Sequence, residues 1–428
     1  MTLNTSATPL LVVLGAGDHH YKAWPLQQLA AQHAILLLDP APEAWTWPYV
    51  AGSWAIDLTD EDLVAGALTS LARDGHIAGI TTYMEHHVTL AARLAEDLGL
   101  PNPNSAAVHA CRDKVLTRQL LDEHDVPSAR SFLIDDAQDA ADLAAGLGFP
   151  VVVKPRGMAG SAGVLRADSA EEVRRAVKTA SGATVLGLDA YALPGTLVEE
   201  YLDGPEISVE CVVLAPHDIR IVAVTRKRLT PEPRFLETGH SVDAADVLLD
   251  DPTVRDVAIR AIQALGVGLG VVHIELRLTE LGPRVVEING RMGGDHIPLL
   301  VQLATGISLP RAAAELALGR IPDLTPTRQM AAAVQFRYAD TPGRIRQELL
   351  KARPVQWLER MVWTLPVGAT VEAPAQSIND RIAHWVVTGH TADACDERLA
   401  VMDALVAVET TEMRALRPVA THHTACVR

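Results

Sequence analysis

The 428-residue sequence predicts an α/β protein joined to a smaller α+β section. Three observations carry that expectation. Residues 9–110 alternate short apolar runs with helical patterns, the rhythm of a parallel sheet covered on both faces. A strand ending in lysine, Phe149–Pro155, opens into the glycine-rich stretch Arg156–Val164. Downstream, residues 271–289 show two arms of period-two alternation separated by a turn.

Composition narrows the function classes. Apolar residues make up 48% and charged residues 21%, a balance suited to large buried cores. A net charge of −16 argues against nucleic acid as partner, because phosphates need a basic surface. No apolar run is long enough for a bilayer and the N-terminus lacks a signal-peptide layout, so no membrane is expected. Cys111, Cys211, Cys395 and Cys426 are far apart, which points to a reducing cytoplasm.

In chain order, Leu10–Leu14 reads as a buried strand ending in Gly15-Ala16-Gly17. A helix is expected from Pro25 to Gln32, strands at 34–38 and 77–82, and a helix from Val88 to Leu98. The GAG turn falls short of a dinucleotide fingerprint, since the sixth position of GxGxxG is His20; Asp39 does lie at a ribose-contact distance, so an NAD-dependent oxidoreductase stays as an alternative. Glu85 follows a strand at the ligand-binding end of the sheet and is a candidate to hold a substrate ammonium, or an ordinary helix-start carboxylate.

Gly157, Gly160 and Gly163 have small neighbours, and backbone N–H groups of such a loop can close over phosphates. No lysine follows the last glycine, so this is not a P-loop; Lys154 before it is the candidate phosphate contact, and a plain hairpin loop is the alternative. The segment Thr196–Glu206 reads as strand, linker and the start of a second strand running through Ile207–Leu214. Such a linker can receive a flat base. A strand at 220–225 ends in Arg226-Lys227-Arg228, either a solvated turn or an anion contact, and a helix runs from Pro252 to Leu265.

The two-armed stretch is the centre of the chemistry. If Leu278 pairs with Arg284, Glu275 faces Glu287 and His273 faces Asn289; a bulge would change that register. Facing carboxylates repel, and a divalent cation held by hard oxygen ligands would relieve them, as would simple splaying into solvent. After a linker at 321–328, strands at 333–338, 362–365 and 383–387 and a helix at 392–406 suggest a small cap.

The order Lys114, Lys154 with its glycine loop, Glu199 to Glu206, then Glu275, Glu287, Asn289 and Arg291 resembles the ATP-grasp superfamily across nearly the whole chain. The phrases VVVKPRGMAGSAGV, FLETGHSVDA and EINGRMGGDHIP are similar to amino-acid ligases of the bacilysin and dapdiamide type. The resemblance implies an ATP-grasp fold: an N-terminal Rossmann-like domain (1–110), an ATP-grasp domain (111–320) with a mobile lid at about 128–200, and a C-terminal α+β cap (321–428). It implies ATP held by Lys114, Lys154, Gly160, Ser161, Ala162, Glu199, Glu200, Leu202 and Glu206, and two Mg²⁺ (or Mn²⁺) on Glu275, Glu287 and Asn289. Arg291, Lys154 and His240 would act in catalysis, with Glu85, His240, Arg291, Gly294, Asp295 and His296 towards substrate. The implied reaction is amide formation between a carboxylate and an amine through an acyl phosphate, releasing ADP and phosphate, by a homodimeric enzyme of the kind that serves secondary metabolism. A bicarbonate-activating carboxylase type is the alternative on the same fold. Asp295 stands where some dipeptide-forming relatives have a bulky aromatic, which favours a polar or amine-bearing substrate group.

Overall fold

The computed structural model describes residues 9–73, 75–183, 193–350 and 355–411. Cys426 lies outside them.

The N-terminal section forms a four-stranded parallel sheet in the order β3-β2-β1-β4. Its strands are β1 (Leu10–Leu14), β2 (Ile35–Asp39), β3 (Gly52–Ala55) and β4 (Ile77–Thr81). Helices α1 (His19–Ala30), α2 (Glu61–Arg73) and α3 (Val88–Asp97) accompany it. All five residues of β1 are buried, as a strand covered on both faces requires. Helix α1 begins at His19 rather than at Pro25, because Asp18 caps it by accepting from His20 N–H at 2.7 Å; Pro25 sits buried inside the helix.

Helices α4 (Ser105–Arg112) and α5 (Lys114–Glu123) lead to a second four-stranded sheet, ordered β5-β8-β6-β7. It comprises β5 (Ser131–Leu133), β6 (Val151–Pro155), β7 (Leu165–Ala167) and β8 (Thr196–Glu200), with α6 (Ala137–Leu147) and α7 (Ala170–Ser181) packed on it. The glycine-rich stretch joins the antiparallel pair β6 and β7, so it is the loop of a hairpin.

The third sheet has eight antiparallel strands in the order β13-β12-β9-β10-β11-β14-β18-β16. One half uses β9 (Glu206–Ala215), β10 (Asp218–Leu229), β11 (Glu237–Asp243), β12 (Gly270–Thr279) and β13 (Gly282–Asn289), backed by α8 (Pro252–Leu265). Helices α9 (Ile297–Thr305) and α10 (Leu309–Ala317) follow. The other half uses β14 (Ala331–Arg337), β16 (Leu358–Trp363) and β18 (Ala383–Gly389), drawn from the 321–428 section. That section therefore continues the same sheet, with Gly239 paired to Gln335 and His240 to Val334 across the junction. A small sheet of β15 (Gly343–Leu350), β17 (Thr370–Val371) and β19 (Val406–Thr411), and helix α11 (Ala392–Leu405), complete it. Among the described residues no single helix is long and apolar enough to cross a membrane; α9 and α10 pass that test only as a bent pair, and both are largely buried.

Candidate functional site

The hairpin β12–β13 places Glu275 opposite Glu287 and His273 opposite Asn289. The expected register thus holds at the candidate ligands. It fails nearer the turn, where Leu278 pairs with Pro283 and Arg277 with Arg284. The cause is a bulge between Glu275 and Leu276, immediately beside the facing carboxylates. The turn contracts to Glu280-Leu281.

The carboxylates do not splay into solvent. Glu275 takes the ammonium of Lys227 and lies 3.2 Å from His273 Nε2; Glu287 pairs with Lys114 at 3.3 Å. Lys227 also reaches Glu206 at 3.3 Å and Glu237 at 3.9 Å, so one ammonium serves three carboxylates and its pKa is driven up by them against the cost of burial. Burial pushes the Glu237 carboxyl up to about 7, and its Oε2 is buried without a hydrogen bond. Among the described residues no three His, Cys, Asp or Glu side chains already form an ion site. The donor set nonetheless suits a hard cation: two facing carboxylates, the amide of Asn289, and surplus acid around Lys227.

Two cavities meet at this hairpin. One, of about 100 Å³, lies between the second sheet and the eight-stranded sheet, with Val152, Val164, Leu202 and Val286 as apolar walls and Lys114 and Lys154 at its polar side. The other, of about 960 Å³, opens towards the N-terminal sheet and the C-terminal section. Ala159, Glu275 and Glu287 line both.

The glycine loop lies folded over the junction. Lys114 Nζ donates to Met158 O at 2.7 Å, Arg112 Nη2 to Gly157 O at 3.1 Å, and Arg156 Nε to Asp113 Oδ1 at 2.8 Å. Gly160 has φ +65°, and a Cβ there would come within 2.7 Å of Ile378 Cδ1, so the loop tip abuts the C-terminal section. Ser161 takes φ +55° and lines the first cavity with Ala162; Gly160 lines the second.

Lys154 and Glu199 form a buried ion pair at 2.6 Å, and Arg118 grips the same carboxylate through Nε at 3.0 Å and Nη2 at 3.2 Å. Burial opposes ionisation of Glu199, but the charges of Arg118 and Lys154 outweigh it and hold the group at about 2. Lys154 has only a share of that carboxylate, so burial brings it down to about 8. Glu199, expected to hold ATP, first holds these two cations. Glu206 likewise binds Arg277 at 2.9 Å and Lys227, ahead of any nucleotide. Glu200, the last residue of β8, and Leu202, on the linker after it, line the first cavity.

On the substrate side the structure redirects several expectations. Glu85 does not stand free for an ammonium: it lies between Arg112 at 2.7 Å and Arg291 Nε, which fixes Arg291 beside Asn289 and the carboxylates. Arg291 Nη1 donates to Met292 O at 2.8 Å, and Nη2 has no partner among the described residues. Burial would raise Glu85, but Arg291 and Arg112 hold it at about 2, below its ordinary 4.5. A carboxylate depressed in the folded state stabilises fully above the ordinary value and loses that contribution as pH falls towards the folded one. Glu85→Gln is therefore expected to lower the thermal midpoint at pH 7, with a gap to the unsubstituted protein that narrows as pH falls from the ordinary 4.5 towards 2 in a scanning fluorimetry series.

Asp295 does not await a substrate amine. Arg381, 2% exposed, donates to it twice, at 2.8 and 2.7 Å, which holds its pKa well below the carboxylate range against burial. His296 turns away from the site: it is buried, 2.9 Å from His384 Nε2 and stacked at 5.1 Å on Tyr21. Asp295 and His296 both have positive φ (+49° and +66°), strain that these contacts hold in place. His240 lines the large cavity with both ring nitrogens unbonded; burial lowers its pKa to about 4, against the pull of Asp295 3.7 Å from Nε2, which favours the charged form. Gly294 lines the cavity, and a Cβ at that position would meet nothing within 4 Å. Arg112, Arg118, Lys22 and Arg381 belong to no motif legible in the sequence; Lys227 does, as the middle of the basic triplet Arg226-Lys227-Arg228.

The GAG turn is not arranged as a dinucleotide site. Ala16 N–H, which would face a pyrophosphate, donates to Asp39 Oδ2 at 2.8 Å, and Asp39 Oδ1 accepts from Ala41 N–H at 2.8 Å.

A family model described as the ATP-grasp domain matches residues 147–298, and one described as the ATP-grasp N-terminal domain matches residues 32–102. The chain is an ATP-grasp protein. Its fold matches the crystal structure of an L-amino acid ligase from Bacillus licheniformis with a TM-score of 0.79 at 20% identity, over 95% of this chain and 100% of that one. Among curated proteins, this ATP-grasp protein is 29% identical to uncharacterized protein y4rH of Sinorhizobium fredii over 74% of its own length. It is 29% identical to human carnosine synthase 1 over 61% of its length. The chain spans 65% of the first relative and 33% of the second.

Proposed function

We propose that this ATP-grasp protein is an ADP-forming carboxylate–amine ligase that joins an amino acid to an amine. One observation carries the reading: the facing carboxylates Glu275 and Glu287 form an acidic boundary shared by a base-sized cleft and a larger cavity. A nucleotide in the first can thus present its terminal phosphate to a substrate in the second. The amino-acid ligase and carnosine synthase names of the similar proteins support an amide-forming reaction. The division at residues 1–110, 111–320 and 321–428 belongs to the same reading.

The residues suit ATP and Mg²⁺. Apolar walls at Val152, Leu202 and Val286 fit a base, and Lys114 and Lys154 stand where phosphates would pass. Glu275, Glu287 and Asn289 would hold the metal, which supplies neutralisation of charge on the transferring phosphoryl group. Lys114 would exchange its hold on Glu287 for a phosphate oxygen. Arg291, kept in place by Glu85, stabilises charge that develops on the phosphoryl oxygens. A carboxylate oxygen attacks the γ-phosphorus and ADP leaves. The amine nitrogen attacks the activated carbonyl carbon, loses a proton, and phosphate departs with that oxygen. The loop over the junction, tied down by Lys114, Arg112 and Arg156, keeps water from the acyl phosphate.

The test is a phosphate-release screen of amino-acid pairs with ATP and Mg²⁺, read together with mass spectrometry of product. Phosphate and amide are expected in equal amounts for at least one pair. Phosphate release that needs bicarbonate and no amine would favour the carboxylase alternative.

A further inference from the structure

The N-terminal section contributes Gly15, Gly17, Asp18, Lys22 and Tyr83 to the lining of the large cavity. Its charged groups are accounted for, with one exception. Asp18 caps α1, Asp39 closes the GAG turn, Glu85 lies between two arginines and Asp295 is bound by Arg381. The Lys22 ammonium makes no ion pair or hydrogen bond among the described residues; its Nζ stands 5.9 Å from the centre of the Tyr83 ring.

The loop around it is shaped to seat this side chain. Gly17 has φ +72°, and a Cβ there would lie 2.9 Å from Lys22 Cγ and 2.7 Å from Met84 Sδ. The lysine stem therefore lies against the bare glycine. Tyr83, beneath the ammonium, is fixed by donating its hydroxyl hydrogen to Ala16 O at 3.1 Å. This gives Gly17 of the GAG turn a reason unconnected with dinucleotides. Desolvation and the repulsion of Arg291 disfavour the charged ammonium, and the carboxylates of Asp295, Glu85 and Asp18, each bound to another partner, offset this only in part. An anion from outside the protein would remove both penalties.

We infer that Lys22 binds an anionic group of the co-substrate, a carboxylate or a phosphate ester, which is not the group that becomes activated. The reacting carboxylate must reach Glu275 and Glu287, whereas Lys22 is contributed by α1 of the N-terminal section, with Arg291 within electrostatic reach of it. The co-substrate thus carries a second anion that sets its orientation, and Lys22 is a specificity residue. Its place in the reaction rests on the ligase reading; the anion site itself does not.

The experiment uses full-length protein saturated with MgADP, its lysines reductively methylated with ¹³C-formaldehyde. The Lys22 signal is assigned by its loss in Lys22→Arg. Three probes are added in turn: pooled proteinogenic amino acids, their carboxamides, and O-phosphoethanolamine. A shift of the Lys22 signal with free acids and not with amides identifies a carboxylate; a shift with phosphoethanolamine alone identifies a phosphate ester. Equal shifts with acids and amides, or no shift with any probe, overturn the inference. In parallel, with any pair active in the phosphate-release screen, Lys22→Met should raise the KM of the anion-bearing substrate at least 30-fold and leave kcat within threefold. A fall in kcat with KM unchanged would mean that Lys22 moves a proton instead, and would also overturn it. A Lys22 shift in a protein that releases no phosphate with any pair would leave the anion site standing while the ligase reading fails.

Discussion

Glu287→Gln is expected to reduce ATP-dependent phosphate release by about three orders of magnitude, with the fold unchanged. Metal-assisted neutralisation is worth several kcal/mol at the transferring phosphoryl group, and each factor of ten in rate is about 1.4 kcal/mol. The amide keeps the size and the hydrogen-bonding reach of the carboxylate but not its charge. The folded protein loses little, because the Lys114–Glu287 pair is 3.3 Å long and Lys114 keeps its bond to Met158 O. A coupled phosphate assay and a thermal melt separate the two effects. Near-full activity with an unchanged melt would remove Glu287 from the metal site.

The second large effect is on stability. Arg381→Met should lower stability by about 3 kcal/mol, the low end for breaking a buried pair, since Asp295 is left with uncompensated charge. The guanidinium also lies 3.7 Å over the Phe336 ring and donates to Tyr338 Oη at 3.1 Å, contacts that a thioether cannot replace. In thermal unfolding this is a fall of several degrees. Combining Arg381→Met with Asp295→Asn should restore much of the loss, because the stranded charge goes with its partner. If the double variant melts no higher than the single one, Asp295 carries no such charge and the pair is not what binds the C-terminal section to the site.

What could be read from sequence divides along physical lines. The facing of Glu275 and Glu287 was legible because strand periodicity and a constant pairing sum are local properties. The turn was not, because a bulge between Glu275 and Leu276 changes the sum without changing the apolar alternation. Strand β11 was missed since Glu237–Asp243 is polar in composition, although Gly239, His240, Ser241 and Val242 are buried in mid-sheet. The start of α1 was misplaced because Pro25 resembled a first-turn proline, whereas Asp18 supplies the cap. The partners of the substrate-side residues were beyond reach for a different reason. Glu85 and Arg291 are 206 positions apart, and Asp295 and Arg381 are 86 apart. Chemistry names such residues as candidates, but only the folded arrangement shows that their charges are already spent on one another.

The central claim is that the hairpin floor lets a carboxylate take the terminal phosphoryl group of ATP before the amine attacks. Running the phosphate-release assay with a carboxylate substrate labelled by ¹⁸O at both oxygens tests it directly. Each inorganic phosphate released is expected to carry one ¹⁸O atom, because the carboxylate oxygen that attacked phosphorus leaves with it. Phosphate containing only ¹⁶O, formed alongside amide product, would contradict the claim.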